Sequence, residues 1–380
     1  MGYVGFLRFI QLDSRLQCSR ILRLAIGKQI FVKFLCVLCL FAFLVVIFKE
    51  GHNLLNSDAV QEQQRTGSVK CRETFNDSIE DNLMVIKQYP KGDAEKYMWK
   101  LDGNITKPEQ IRDFPVIVTA FNWNYYPQSM GLFESIHKKL MNTWKYRGKV
   151  HIVVYDLGLT DRQLKMLKMK CRCEIRKFPY DEFPPHVRDI MTYAFKPILL
   201  QMALVEFGFI WWVDSSVRFQ TGNIDQAVQF AKANSVLFFV IDNMGTLNSI
   251  PTLTDPQTFK FIGEDPCKFR DFSETMATSV AFHYDNISSA IVRAWALCAL
   301  NKDCIAPEGS NKKRICKLRG SRDGECHRFD QSMLSILTRR LYHRTNQFPP
   351  DKSLKETFRI DRAVIEHYFE SCLPVLKCLA

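Results

Sequence analysis

The chain has 380 residues, with 52 Lys and Arg against 40 Asp and Glu, so its formal net charge is +12 at pH 7. Hydrophobic residues make up 47% of it, which is ordinary for a globular protein with a substantial core. Residues 1–49 carry seven Lys or Arg and one Asp, and no dense basic stripe with interleaved aromatic residues follows. This distribution argues against nucleic acid as a partner.

An apolar run follows the basic N-terminal segment. FLCVLCLFAFLVVIF occupies residues 34–48. With the apolar residues just before it the span reaches about 19 residues, close to the ~20 that a membrane helix needs. Because the basic flank is N-terminal, we predict a cytosolic tail at 1–30, an uncleaved signal-anchor at 31–48 and a lumenal main body. A cleaved signal peptide is the competing interpretation, but no A-x-A-like site follows the run.

Glycosylation triplets and cysteine usage agree with a lumenal or extracellular body. Acceptor triplets for N-glycosylation begin at Asn76, Asn104 and Asn286. Ten of the 13 cysteines follow the apolar run, an even number that suits disulfide bonds in an oxidising compartment. We therefore predict a single-pass type II membrane glycoprotein of the Golgi or another secretory-pathway compartment.

The spacing of the cysteines suggests some pairs without fixing the whole pairing. Two local loops are plausible disulfides, Cys298–Cys304 and Cys316–Cys326. For Cys171-Arg172-Cys173 we expect the two thiols to lie on opposite faces of a strand. A zinc site is disfavoured because no C-x-x-C pair follows the apolar run.

The chain beyond the apolar run divides into a stem and one folded domain. Residues 49–82 are polar and poor in large apolar side chains, a composition that cannot bury much surface. We predict a lumenal stem over 49–113, a folded domain over 114–372 and a C-terminal tail at 373–380.

From Phe114 onward, short apolar runs alternate with helical patterns. Strands are predicted at 115–121, 149–158, 173–178, 207–213, 236–243 and 277–285. Helices are predicted at 127–142, after Thr160, and at 196–207, 287–300 and 330–341. This alternation indicates an α/β domain with a largely parallel sheet and right-handed crossovers.

Polar residues stand where four of the predicted strands end: Asn122, Asp156, Asp214 and Asp242. In open α/β sheets ligands bind outside the carboxyl ends of the strands, so these side chains are expected to converge on one edge. The sequence lacks a G-x-G-x-x-G after a strand, a P-loop, a G-x-S-x-G elbow and an H-E-x-x-H. Rossmann dinucleotide binding and the commonest hydrolase and zinc-protease chemistries are therefore disfavoured.

The strand that ends in Asp214-Ser215-Ser216 resembles the GT-A glycosyltransferase core, in which an Asp-x-Asp-like triplet holds a divalent cation against a sugar-nucleotide diphosphate. A wider resemblance rests on the segments VIVTAFN, VVYDLGLT, YAFKPILLQMAL, WWVDSSVRF and FDQSMLSIL. In this order they resemble a nematode-expanded family of type II membrane proteins of unknown function, considered similar to nucleotide-diphospho-sugar transferases. The resemblance spans about residues 114–345. It implies a GT-A-like (Rossmann-like) α/β fold with a mixed, mainly parallel sheet flanked by helices and preceded by one transmembrane helix.

The resemblance implies a donor site at the ends of the first strands. Thr119, Ala120 and Asn122 match the loop that receives the nucleotide. Asp156 matches an acid that accepts a hydrogen bond from the base edge, and Lys196 matches a basic residue that approaches the diphosphate. The implied partners are a nucleotide-sugar donor and a glycan, protein or lipid acceptor.

The resemblance also implies a cation site and an acceptor side. Asp214 and Ser216 take metal positions, and His327 is a candidate further ligand for Mn²⁺ or Mg²⁺. Asp330 matches a late acidic motif near the acceptor. Asp330 and Asp214 are therefore the candidate catalytic residues.

One position departs from the family pattern, because Ser216 has a hydroxyl where a carboxylate is usual, and a hydroxyl coordinates only weakly. Three interpretations stay open: metal dependence with a depleted ligand shell, metal-independent transfer with Lys196 or Arg218 as the cationic partner, or a relic without catalysis. We predict a nucleotide-sugar-dependent glycosyltransferase. The alternatives are a catalytically inactive lumenal or cell-surface binding protein that retains the GT-A fold, and a disulfide-rich adhesion ectodomain.

Overall fold

A computed structural model of the chain describes residues 71, 74–102, 107–240, 249–316, 322–344, 356–365 and 368–371. All elements below lie in the unit Glu73–Ala380. No helix among the described residues is long and apolar enough to cross a membrane. Several predictions fall outside these residues: the cytosolic tail and signal-anchor at 1–48, Asn104, Asp242 and the C-terminal tail at 373–380.

A six-stranded sheet forms the centre of the domain. Its strands are β1 (Val116–Phe121), β2 (Ile152–Asp156), β3 (Glu174–Lys177), β4 (Phe209–Val213), β6 (Val236–Leu237) and β7 (Ser279–His283), while β5 (Val217–Phe219) and β8 (Phe358–Ile360) form a separate pair. The order is β3-β2-β1-β4-β7-β6. β1 to β4 run parallel, whereas β7 pairs antiparallel with β4 and β6. The predicted mixed, mainly parallel sheet is confirmed.

Helices flank the sheet, and those predicted from apolar spacing are present. They are α1 (Ile79–Lys87), α2 (Glu95–Asp102), α3 (Tyr126–Ser135), α4 (Asp161–Lys170), α5 (Phe195–Phe207), α6 (Asp225–Asn234), α7 (Pro256–Ile262), α8 (Asn286–Leu300), α9 (Lys302–Ile305), α10 (Asp330–Leu341) and α11 (Tyr368–Ser371). A π-helical segment, Ile136–Met141, continues α3. Strands that alternate with helices do not fit the β-rich pattern of an adhesion ectodomain.

The chain reverses direction at Gly208, between α5 and β4. Pro197 lies in the first turn of α5, where its missing N–H needs no intrahelical partner. Gly208 caps the other end of the helix with φ of 70°, and a Cβ at this position would lie 2.8 Å from Ile111 Cα. Only glycine fits there. The turn sends the apolar strand β4 directly to Asp214 at the edge of the sheet.

Two adjacent tryptophans of β4 pack on opposite faces of the sheet, as strand geometry predicts. Trp211 belongs to the apolar core that contains Phe133 of α3, and Trp212 belongs to the core that contains Leu199 of α5. Trp211 Nε1 donates a hydrogen bond to Ser279 Oγ at 2.9 Å. β4 is therefore buried on both sides until it ends.

Part of the predicted stem is folded. Within residues 79–102, α1 and α2 bury Leu83, Ile86 and Met98 in the same core as α5. These apolar side chains recur at helical spacing, so they supply a face that packs rather than a polar linker. The described part of the domain therefore includes residues before Phe114.

Three disulfide bonds are described between identified partners. Cys298–Cys304 and Cys316–Cys326 confirm the two predicted local loops. The expectation that Cys171 and Cys173 face apart is wrong, because residues two apart in a strand point to the same face, and these two residues are bonded to each other. Cys171 caps the end of α4 rather than lying in a strand, and Arg172 between them takes a left-handed conformation with φ of 54°.

A second, two-stranded sheet follows the end of β4 in the chain. β5 pairs antiparallel with β8, and the backbone N–H of Asp361 donates to Ser216 O at 2.8 Å. A late segment of the chain is thereby fastened to the Asp-Ser-Ser loop. The sequence did not predict this pairing, because a three-residue strand is too short to show a periodic pattern.

Candidate functional site

Three predicted site residues meet at the carboxyl edge of the sheet. Lys196, in the first turn of α5, has a side chain only 3% exposed. Its Nζ lies 2.7 Å from Asp330 Oδ2 and 3.3 Å from Asp214 Oδ1, and it donates to Ala277 O at 3.2 Å. Asp330 is equally buried at 5%, whereas Asp214 is 31% exposed. One buried ammonium thus bridges the end of β4 and the start of α10.

The charges in this cluster depend on one another. Burial alone would lower the pKa of Lys196, but the carboxylates of Asp214 and Asp330 raise it above its ordinary value. Burial raises the pKa of Asp330, while the neighbouring Lys196 opposes that shift. Lys196 therefore stays protonated at neutral pH and stabilises the ionised form of the buried carboxyl.

Aromatic side chains fix the position of the cluster. Trp212 Nε1 donates a hydrogen bond to Asp214 Oδ1 at 2.7 Å. Lys196 Nζ lies 5.2 Å from the ring centroid of Trp212 and 5.4 Å from that of Tyr193, within the range of a cation–π contact. Neither charged group can turn away without losing these contacts.

Two adjoining cavities meet at this cluster. The larger, about 400 Å³, is lined by Asp330 and Gln331 among other residues. The smaller, about 170 Å³, is lined by the last residues of β1 and by Asn122 after it, among other residues. Lys196, Asp214 and Tyr193 lie in the walls of both. A ligand that extends from one cavity to the other would pass directly over Asp214.

Two non-glycine residues with positive φ lie beside the cluster. Tyr193 has φ of 55° and precedes α5, and Phe329 has φ of 50° and precedes Asp330. Such conformations are uncommon and unfavourable for large side chains. Backbone strain of this kind concentrates at functional sites, where surrounding packing holds it in place.

The residues predicted to bind the nucleotide-sugar donor at the ends of β1 and β2 fall into two groups, those that line the smaller cavity and those that do not. Ala120 and Asn122 line the smaller cavity, and Asn122 Oδ1 accepts hydrogen bonds from the backbone N–H groups of Asn124 and Tyr125 at the start of α3. Thr119 is buried within β1, outside the cavity lining. Asp156 Oδ1 accepts from two backbone N–H groups of its own loop at 2.8 and 2.6 Å. That carboxyl oxygen therefore orders a turn.

Arg218 stabilises the fold and does not line the predicted site for the nucleotide-sugar donor. Its guanidinium donates to backbone carbonyls of Ser215, Val217, Gln128 and Ala363 at 2.7 to 3.2 Å, and it lines neither cavity. Burial lowers its pKa. Arg218 therefore ties the Asp-Ser-Ser loop to α3 and to the segment after β8.

Gly131 of α3 leaves the space that Arg218 occupies. A Cβ on Gly131 would lie 2.3 Å from Arg218 Nε, so Gly131→Ala is expected to lower the free energy of unfolding by about 1–3 kcal/mol through overpacking. Helix propensity alone would predict a gain of about 1 kcal/mol from the same change. Urea unfolding measures the sign, and a stabilised variant would contradict this placement of Arg218.

His327 is not available as a metal ligand in this arrangement. Its Nδ1 accepts a hydrogen bond from the backbone N–H of Asp255 at 3.1 Å, and its Nε2 lies 3.0 Å from Ile305 O. Both ring nitrogens therefore have backbone partners. Burial lowers its pKa to about 4, so it is neutral at physiological pH and ties the loop before α7 to α9 and to the segment before α10.

The residues at the cluster fit a divalent cation poorly. Asp214 Oδ1 is already shared by Trp212 Nε1 and Lys196 Nζ, and Ser216 adds only a hydroxyl. Among the described residues no group of three or more His, Cys, Asp or Glu side chains is arranged to hold a metal ion. An ammonium 3.3 Å from the first carboxylate would also repel a dication.

Sequence reasoning missed two side chains beside the cluster. Arg362, after β8, is exposed and lines both cavities. Glu274 is buried and accepts a hydrogen bond from Gln331 Nε2 at 2.5 Å, which orients the amide at the wall of the larger cavity. Neither stands at the end of a predicted strand, so the position in the sequence gave no signal for either.

Glu274→Gln is expected to change how stability depends on pH. Burial raises the pKa of Glu274 from its ordinary 4.5 to about 8, so the folded wild type keeps a proton that the unfolded chain releases across this window. The contribution of this proton to the free energy of unfolding of the wild type is fully present below pH 4.5 and is lost as the pH rises to about 8. The stability of the variant relative to wild type should rise by about 1.4 kcal/mol per pH unit there.

Urea unfolding across that pH window measures the difference between wild type and Glu274→Gln. Glu325→Gln, at an exposed glutamate, is the matched control and should show a flat difference. An equally flat difference for Glu274→Gln would contradict the assignment of a protonated buried acid.

The two predicted glycosylation acceptors that the structure describes are both exposed. Asn76 precedes α1, and Asn286 is the first residue of α8. Asn286 Oδ1 accepts a hydrogen bond from Lys87 Nζ at 2.8 Å. Both sites remain predictions of modification.

Residues 92–201 match a family described as "Protein of unknown function (DUF1647)". The match includes β1, β2 and the first half of α5, and therefore Asn122, Asp156 and Lys196. It ends before Asp214 and Asp330. A comparison with curated proteins gives no match.

The neighbouring solved structures are glycosyltransferases. The bifunctional glycosyltransferase WbbM has a TM-score of 0.35 at 11% identity, over 62% of this chain and 38% of its own. The mannosyltransferase Ktr4p from S. cerevisiae has a TM-score of 0.35 at 10% identity, over 71% of this chain and 77% of its own. The galactosyltransferase LgtC, in complex with donor and acceptor sugar analogues, has a TM-score of 0.30 at 14% identity, over 57% of this chain and 68% of its own. The chain thus spans less than two-thirds of WbbM, and its chemistry has to be inferred from its own side chains.

Proposed function

We propose that the chain is a glycosyltransferase that transfers a sugar from a nucleotide-diphosphate donor to an acceptor hydroxyl. The observation that carries this proposal is the meeting of Lys196, Asp214 and Asp330 where two cavities join at the carboxyl edge of a mainly parallel sheet. Ligands bind at that edge in open α/β sheets. The resemblance of the segments around these residues to sugar-nucleotide transferases supports the same assignment.

The two cavities give the donor and acceptor separate places. The smaller cavity, with Ala120 and Asn122 in its wall, takes the nucleoside. The diphosphate lies at the junction beside Asp214, and the sugar with its acceptor fills the larger cavity beside Asp330. The volume of about 400 Å³ suits a sugar with part of its acceptor.

Transfer breaks one bond and makes one bond at the anomeric carbon of the donor sugar. The bond to the diphosphate oxygen breaks and its electron pair leaves with the nucleoside diphosphate, while the acceptor hydroxyl oxygen bonds to the same carbon. Asp330 accepts the hydroxyl proton as general base. Lys196, 2.7 Å away, favours the ionised form of that carboxyl, which is the form that accepts the proton.

We also propose that the protein works in an oxidising compartment such as the Golgi lumen, anchored as a single-pass type II membrane protein. Three disulfide bonds in the described residues support an oxidising environment. The apolar run at 34–48 with its basic flank supports the anchor.

Thermal unfolding of the purified full-length chain with a panel of UDP-, GDP- and CDP-sugars tests the donor assignment. We expect one donor class to raise the Tm, since a ligand present at 100 times its Kd stabilises the folded state by about 2.7 kcal/mol. If no donor shifts the Tm, the proposed function is overturned.

The second candidate is a binding protein that holds a nucleotide sugar or glycan without cleaving it. The observation in its favour is that both carboxylates already contact Lys196 and that Ser216 replaces a carboxylate. A donor that stabilises the protein but is never cleaved in the presence of any acceptor would favour this candidate.

A further inference from the structure

We infer that the diphosphate site works without a divalent cation because the protein supplies the positive charge itself, chiefly through Arg362. This inference rests on the proposed function and specifies how its donor is held. It concerns the junction of the two cavities, where Lys196 and Arg362 both lie in the walls.

Lys196 occupies the place between the carboxylates that a metal would need. Its ammonium lies 3.3 Å from Asp214 Oδ1 and 2.7 Å from Asp330 Oδ2, and it donates a hydrogen bond to Ala277 O. A cation could bind between Asp214 Oδ1 and Asp330 Oδ2 only after displacing the Lys196 side chain, which is 3% exposed. The two negative charges are thus balanced in part from within the protein.

Arg362 is held over the junction by its backbone. On one side of it, the N–H of Asp361 donates to Ser216 O at 2.8 Å. On the other side, Arg218 Nη2 donates to Ala363 O at 3.2 Å. The side chain of Arg362 makes no ion pair or hydrogen bond within the part of the chain that the structure describes. Its guanidinium is therefore available to an anionic ligand, and guanidinium groups bind phosphate oxygens in pairs.

The larger cavity has the charge balance of an anion site. Four basic and two acidic side chains line it, a formal net of +2: Lys196, Arg314, Arg328 and Arg362 against Asp214 and Asp330. Arg314 Nη2 also lies 3.3 Å from Asp189 Oδ2, and this ion pair balances one of the positive charges, which leaves +1. His327 is neutral there, and Glu274 beside Arg328 is largely protonated at neutral pH because burial raises its pKa to about 8. The remaining positive charge, with Lys196 and Arg362 in the walls of both cavities, suits a diphosphate bound at their junction.

Isothermal titration of the full-length chain with UDP, GDP and CDP, in EDTA and again with Mn²⁺, tests the inference. We expect at least one nucleotide to bind in EDTA, with a Kd that Mn²⁺ changes by less than about threefold. Arg362→Gln should weaken that binding about tenfold or more, the usual size of a lost charge-assisted contact. Arg147→Gln is the matched control, since this exposed arginine precedes β2 at the opposite edge of the sheet.

The outcomes separate the inference from the proposed function. Binding that requires Mn²⁺, or an Arg362→Gln variant that binds like wild type in EDTA, overturns the inference and leaves the proposed function standing. If none of the three nucleotides binds under either condition, the proposed function fails and the inference fails with it.

Discussion

Lys196→Met is expected to lower the free energy of unfolding by about 3–5 kcal/mol, the cost of leaving a buried charge without its partner. The substitution keeps the length of the side chain but leaves Asp330 buried beside Asp214 with no cation. The pKa of Asp330, which burial already raises, should then rise further because the opposing Lys196 charge is gone. Urea unfolding at neutral pH measures the loss.

Two further variants make the Lys196 prediction specific. Lys168→Met, at an exposed lysine of α4, should change stability by no more than about 0.5 kcal/mol. The double variant Lys196→Met with Asp330→Asn should be less destabilised than the sum of the single changes by at least about 1 kcal/mol, because the two groups share one interaction. Additive effects would contradict a coupled buried pair.

Asp330→Asn is expected to lower kcat for sugar transfer by about 10²–10⁴-fold, the contribution of a positioned general base. Donor binding should weaken far less, because Asp330 lines only the larger cavity while the nucleoside occupies the smaller. Initial rates over a range of donor concentrations separate the effect on kcat from that on KM. An equal loss in donor affinity, with kcat unchanged, would contradict the assignment of Asp330 as the base.

Structural damage must be distinguished from loss of the base in the Asp330 variant. Asp113→Asn, at a fully exposed aspartate paired with Lys232, is the matched control and should keep wild-type kcat. In wild type, kcat should fall as the pH drops far enough to protonate Asp330, and burial places that transition above the usual range for Asp. The variant should lose this acidic limb of the pH profile.

The sequence predicts the sheet and the centre of the site because both depend on local patterns. The apolar run ending at Asp214 predicts a buried strand, and α5 is predicted by its apolar spacing with Pro197 in the first turn. The rule that ligands bind at strand ends then directs attention to Asp214, while the resemblance adds Lys196 and Asp330. The structure brings these three side chains together.

The remaining site residues depend on contacts between distant segments, which no local pattern records. The sequence places Arg218 beside the Asp-Ser-Ser triplet as a candidate cationic partner of the diphosphate. In the structure its guanidinium instead donates hydrogen bonds to four backbone carbonyls. His327 is near Asp330 in sequence, yet backbone groups of Asp255 and Ile305 use both its nitrogens. Arg362 reaches the site only through the pairing of β5 with β8.

The release of nucleoside diphosphate from a bound donor tests the central claim most directly. The full-length chain, given the nucleotide sugar that raises its Tm and a mixture of glycan, peptide and lipid acceptors, should release the diphosphate catalytically. Asp330→Asn should release it at least about 100-fold more slowly, and Asp113→Asn at the wild-type rate. A donor that binds but is never cleaved, or release that is unchanged in Asp330→Asn, would contradict a transferase centred on Lys196, Asp214 and Asp330.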